Sequence, residues 1–133
     1  MRQDELLRGI SFDLFERYRL LEPIAKLFQP HGSGYKVLDV GGHTPPLWPG
    51  FSSLAGATIP DADVTVVDMH RTAELKNYVQ ASGFALPFRD GAFDLVCSLD
   101  TLEHISREAV RHFWGNCSGL LETACTLRSL SIP

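Results

Sequence analysis

Tyr35-Lys36-Val37-Leu38-Asp39-Val40-Gly41-Gly42 is an apolar run that closes on an acid, a hydrophobe and two glycines. With His31-Gly32-Ser33-Gly34 in front and the glycine pair behind, it reads as a buried central strand of an open parallel sheet. Ligands of such sheets bind in crevices outside the carboxyl ends of the strands. Two glycines at that point let the backbone turn sharply and approach a ligand closely, with N–H groups suited to an anionic group. Asp39 adds an acceptor for a cationic or hydroxylated part of the ligand.

Downstream, Val64-Thr65-Val66-Val67-Asp68 is a β-branched run that predicts a second parallel strand with Asp68 at its carboxyl end. An acid there can accept two hydrogen bonds from ribose hydroxyls. Taken alone, Asp68 reads better as the N-cap of a helix over 71–81; with Asp39, Gly41 and Gly42 upstream, the ribose role becomes the stronger reading. Gly41 to Asp68 spans 27 residues, longer than the roughly 20 usual between a glycine turn and its acid. The excess falls in His43-Thr44-Pro45-Pro46-Leu47-Trp48-Pro49-Gly50, whose prolines delay the next helix to about Phe51. His43 and Trp48 face the ligand if this loop walls the pocket; a surface insertion is an equal alternative. A third strand is expected at 82–85 and a fourth at 93–99, with Asp90-Gly91 supplying the turn between them.

Taken in order, Val37 to Gly42, Val64 to Asp68, and Ala85-Leu86-Pro87-Phe88 through Ile105 resemble the class I S-adenosylmethionine-dependent methyltransferases. The likeness covers roughly residues 12–114 and is strongest to the small-molecule group typified by quinone-biosynthesis enzymes. It implies an α/β three-layer sandwich around a Rossmann-like, mainly parallel sheet, with S-adenosyl-L-methionine as cofactor. By the same resemblance, Asp39, Gly41 and Gly42 serve the methionine end and Asp68 the ribose. Met69 lies against the adenine, Phe84 and Ala85 border it, and Asp100 lines the methyl-donor end. Phe84 departs from the family, since many relatives carry there an acid that bonds the adenine amino group. Methyl transfer is a direct displacement that needs no universal catalytic side chain, so the resemblance names no catalytic residue.

Residues 12–29 carry Leu14, Tyr18, Leu21, Ile24 and Phe28 at helical spacing, with Ser11 as N-cap and Pro23 kinking the helix or starting a second one. Such a segment is a lid over the cofactor or a helix packed on the sheet. Ser106 caps a further helix that ends at Gly115. The expected organisation is an N-terminal helical lid over 1–30, a cofactor-binding domain over 31–114 and an atypical tail over 115–133. On this reading the sheet is incomplete in its C-terminal half. An open sheet edge then invites a homodimer, and the chain alone is a poor catalyst.

At 133 residues, 44% hydrophobic and 21% charged, the chain suits one globular domain, and no apolar run approaches the roughly 18 residues of a membrane span. The polar Met1-Arg2-Gln3-Asp4-Glu5 start lacks signal-peptide character, which makes the cytoplasm the default location. A net charge of -4 disfavours nucleic acid as partner and leaves a small-molecule methyl acceptor as the expected one. Cys97, Cys117 and Cys125 show no CxxC spacing, and Glu103-His104 has no further histidines at suitable spacing, so no metal is expected. Cys97 is expected to pack as a small hydrophobe. Two other classes compete. One is a non-catalytic, degenerate module of this fold acting through dimerisation; the other is a nicotinamide-dependent oxidoreductase, disfavoured because Gly41-Gly42-His43-Thr44-Pro45-Pro46 lacks GxGxxG.

Overall fold

The computed structural model describes residues 12–28, 34–42, 54–59, 61–70, 77–99, 101 and 104–120. Ser11, His43, Trp48, Asp100, Glu103 and Cys125, each given a role above, lie outside them. The described elements are α1 (Phe12–Arg19), α2 (Leu21–Phe28), β1 (Lys36–Val40), α3 (Leu54–Thr58), β2 (Asp63–Asp68), β3 (Tyr78–Gln80), β4 (Leu95–Cys97) and α4 (Arg107–Ser118).

The four strands form one wholly parallel sheet in the order β3-β2-β1-β4, with β1 in its interior as expected. Side chains alternate between two buried layers. Val37 of β1, Val64 and Val66 of β2, and Leu95 and Cys97 of β4 join Tyr18, Leu21, Ala25 and Ala55 of the helices, and Ile59 just past α3, on one face. Leu38, Val40, Val67 and Val96 join Phe113, Cys117 and Leu120 on the other. Burial on both faces is why β1 and β2 read as near-continuous apolar runs, and it makes three layers of helix, sheet and helix. Among the described residues, no helix is long and apolar enough to cross a membrane.

The entry of β1 is fixed by a two-way clamp: Asp94 N donates to Lys36 O at 2.8 Å, and Lys36 N donates to Asp94 Oδ2 at 2.7 Å. Because Asp94 N points at β1, Phe93 N points away from it. There it meets the return of the chain after α4, donating to Leu120 O at 3.0 Å, while Gly91 N donates to Gly119 O at 3.2 Å.

Three expectations need correction. The third strand is Tyr78–Gln80 and not 82–85, since Ser82 and Gly83 begin a turn in which Ala85 N donates to Ser82 O at 3.0 Å. A helix reaching 81 is ruled out by the same strand, whose Val79 and Gln80 pair with Val67 and Asp68, while 71–76 lie outside the described residues. Finally, α4 does not stop at Gly115 but runs to Ser118, with Gly119 as its C-cap. Gly115 sits in open space on an exposed side, where glycine costs a helix only about 1 kcal/mol. The fourth strand is also shorter than expected, three residues within the 93–99 run. Ser106 does cap α4, accepting from Ala109 N at 3.4 Å, and the break between α1 and α2 falls at Leu20, with Pro23 in the first turn of α2.

Cys97 and Cys117 are buried free thiols, as the strand reading of Cys97 anticipated. Burial pushes the Cys117 thiol up to about 12 from an ordinary 9.0. In the unfolded chain that thiol loses its proton near 9, so above this pH the unfolded state binds fewer protons and is favoured. The stability contribution is complete below pH 9 and is lost as pH rises toward 12. Urea midpoints at pH 8 and pH 10.5 are expected to differ more in the parent chain than in Cys117→Ala; equal differences would show that Cys117 does not drive the alkaline loss.

Candidate functional site

The chain leaves β1 for β2 and β3 on one side and reaches β4 on the other, so the order reverses between β1 and β4. That topological switch point is where parallel α/β sheets hold ligands, beyond the carboxyl ends of the strands. Gly41 and Gly42 stand at this point.

Gly41 has φ of +73°, a conformation that favours glycine. Its N–H donates to Val67 O at 2.6 Å, tying the turn to the end of β2 one residue before Asp68. A Cβ on Gly41 would overlap the Thr101 hydroxyl, and one on Gly42 would overlap the Asp39 carboxylate with Val66 Cγ1 at 3.1 Å. Both glycines are thus required by what packs beneath and beside them. The preceding carbonyl, Val40 O, accepts from Ser98 Oγ at 2.9 Å and from Thr101 Oγ1 at 3.1 Å, which fastens the turn to the exit of β4.

Asp39 is fully buried and accepts from Tyr18 OH of α1 at 3.0 Å through Oδ2. It pairs in register with Val66 on one side and Cys97 on the other. Burial first, and the Asp39 carboxylate second, push the Cys97 thiol well above its ordinary range. Cys97 therefore stays protonated and is no nucleophile.

Asp68 is half-buried at the end of β2, and its Oδ1 accepts from His70 N at 3.0 Å. That local turn occupies one oxygen; among the described residues the other oxygen takes no hydrogen bond. Met69, next in the chain, is 64% exposed. Its carbonyl accepts from Gln80 Nε2 at 3.0 Å, and the Tyr78 hydroxyl donates to His70 O, so the exit of β2 is held by β3.

Phe84 and Ala85 lie in the turn after β3. The Phe84 ring stacks on His112 of α4 at 5.9 Å between centroids and meets Phe113 edge-on at 5.8 Å, while its carbonyl accepts from Asn116 Nδ2 at 2.5 Å. Its ring is thus committed to α4 on one side, and the residue is 37% exposed overall. The fold therefore gathers Asp39, Gly41, Gly42, Asp68 and Met69 at one sheet edge and sets Phe84 and Ala85 on the loop after the neighbouring strand. Sequence reasoning missed the supporting hydroxyls of Tyr18, Ser98 and Thr101. The signal for the last two was a pair of hydroxyl residues just past an apolar strand.

A family comparison adds an independent finding: a methyltransferase domain matches residues 38–127. This chain belongs to the methyltransferase domain family. The match ends at residue 127, past Trp114, where the sequence likeness was expected to end. This methyltransferase domain also superposes on a crystal structure from Methanococcus maripaludis, a protein provisionally assigned as an S-adenosyl-L-methionine-dependent methyltransferase. The two share 18% identity at a TM-score of 0.57, over 89% of this chain and 55% of that one. The domain spans about half the length of that structure, and the likeness speaks for the fold. No curated protein matches it.

Proposed function

We propose that this domain binds S-adenosyl-L-methionine and passes its methyl group to a small-molecule acceptor. The observation that carries the proposal is the glycine turn at the switch point, where side chains packed against both glycines exclude any Cβ and only backbone can occupy the turn. The second fitting feature is Asp68, a carboxylate at the neighbouring strand end whose Oδ1 is engaged locally and whose Oδ2 takes no hydrogen bond among the described residues, as a ribose acceptor requires.

When bound, the cofactor supplies a methyl group made electrophilic by its sulfonium. Gly41 and Gly42 permit close approach of its methionine end, Asp68 accepts from the ribose, and the exposed Met69 side chain offers an apolar surface to adenine. By the family resemblance, Ala85 and the Phe84 ring would border the same base, with Phe84 standing where many relatives carry the acid that bonds its amino group. The chain's part in catalysis is alignment and exclusion of water, the terms that dominate a direct displacement. A net charge of -4 favours a small acceptor over a nucleic acid.

Thermal shift and calorimetry test this with S-adenosylhomocysteine, the demethylated product, and with NAD as the competing class. Product at 100 times its dissociation constant is expected to stabilise the chain by roughly 2.7 kcal/mol. Asp68→Ala is expected to weaken product binding by roughly 1.5–3 kcal/mol, the range for a hydrogen bond to a charged group. Undiminished affinity would take Asp68 out of the site, and stabilisation by NAD alone would overturn the proposal.

A further inference from the structure

Two adjacent residues of α1 reach the two strand ends that flank the switch point. Tyr18 OH donates to Asp39 Oδ2 at 3.0 Å under the β1 turn, and Arg17 Nη1 donates to Leu99 O at 3.4 Å just past β4. Tyr18 has 0% exposure and sits in the same core layer as Val37, Val66 and Cys97. A helix docked by apolar contact alone would need only the ring. Here the hydroxyl is spent, 21 positions away in the chain, on the carboxylate over which Gly42 folds without room for a Cβ.

We infer that Tyr18 is a positioning residue for the glycine turn, and that through it the docking of α1 is coupled to ligand binding at the switch point; this rests on the cofactor reading above. The bond lies in the interior, away from competing water, where a hydrogen bond is electrostatically stronger than at the surface. It ties the Asp39 carboxylate, which packs against Gly42, to α1. Without it the carboxylate loses its tie to α1, and a shift of the carboxylate moves the Gly42 backbone packed against it. A turn displaced by about 1 Å loses binding geometry that no other contact restores. Coupling of this kind is reciprocal, so a ligand that fixes the turn must also tighten α1.

Calorimetry with S-adenosylhomocysteine on the parent chain, Tyr18→Phe and Ile59→Val provides the test. Ile59 belongs to the same core layer but lies near the amino end of β2, remote in the fold from the turn. Tyr18→Phe keeps the ring and is expected to lose affinity at least fivefold, within the roughly 5- to 150-fold spread of such couplings. Ile59→Val is expected to lower the melting temperature and leave affinity unchanged. Hydrogen exchange on the parent chain gives a readout that needs no variant: saturating product is expected to slow exchange of the α1 amides. Parental affinity in Tyr18→Phe, or α1 exchange indifferent to product, overturns the inference alone. No binding by the parent chain overturns the cofactor reading, and this inference with it.

Discussion

Gly42→Ala is expected to remove S-adenosylhomocysteine binding from the calorimetric window, a loss of roughly 100-fold or more, while the chain still folds. The added methyl group falls onto Asp39 Oδ2 and Cγ and within 3.1 Å of Val66 Cγ1. Asp39 has nowhere to go, being fully buried and bonded to Tyr18. Relief must come from the turn, which lifts away from β1. Overpacking of this sort costs about 1–3 kcal/mol of stability, and a shift near 1 Å costs on the order of 100-fold in positioning. Gly115→Ala is the control, because its Cβ enters open space on an exposed helix side and is expected to be neutral or to stabilise by up to about 1 kcal/mol. Parental affinity in Gly42→Ala would mean that the turn is not where the ligand sits.

The largest loss of stability is expected from Phe113→Ala, about 3–5 kcal/mol by urea denaturation. Phe113 is 1% exposed and closes the core between α4 and the sheet with Leu38, Val40, Val67 and Val96. It also meets Trp114 edge-on at 5.8 Å and fills the space where a Cβ of Gly83 would stand. The cavity it leaves cannot be filled from the strands, whose side chains are set by register. A loss under about 1.5 kcal/mol would show that the 81–93 loop collapses into the gap and that Phe113 is not the anchor of this layer.

What the amino-acid order makes legible depends on the range of each signal. β1 and β2 are readable because strands buried on both faces write themselves as unbroken apolar runs, and the switch-point position of Gly41-Gly42 is a consequence of topology. β3 is not, because Tyr78–Gln80 is three residues long and its length carries no period that separates it from the end of a helix. The end of α4 is misjudged because Gly115 looks like a stop, whereas an exposed glycine inside a well-capped helix that buries Phe113 and Cys117 is outweighed by that packing. Asp39 is recognisable from its neighbours in sequence, but Tyr18 counts there only as part of an apolar stripe. Its hydroxyl partner is 21 positions distant, and nothing in local spacing reports such a bond.

The peptide unit joining Val40 to Gly41 has its hydrogen-bonding capacity fully consumed by the protein. Both lone pairs of its oxygen are taken by Ser98 and Thr101, and its N–H by Val67 O. A ligand resting on the turn can touch this unit but gains no polar bond from it. On the cofactor reading, polar recognition of a ligand falls to groups other than this peptide unit, Asp68 among them. The first half of the turn offers shape alone, fixed by the strand, the glycine and the two hydroxyls that hold it.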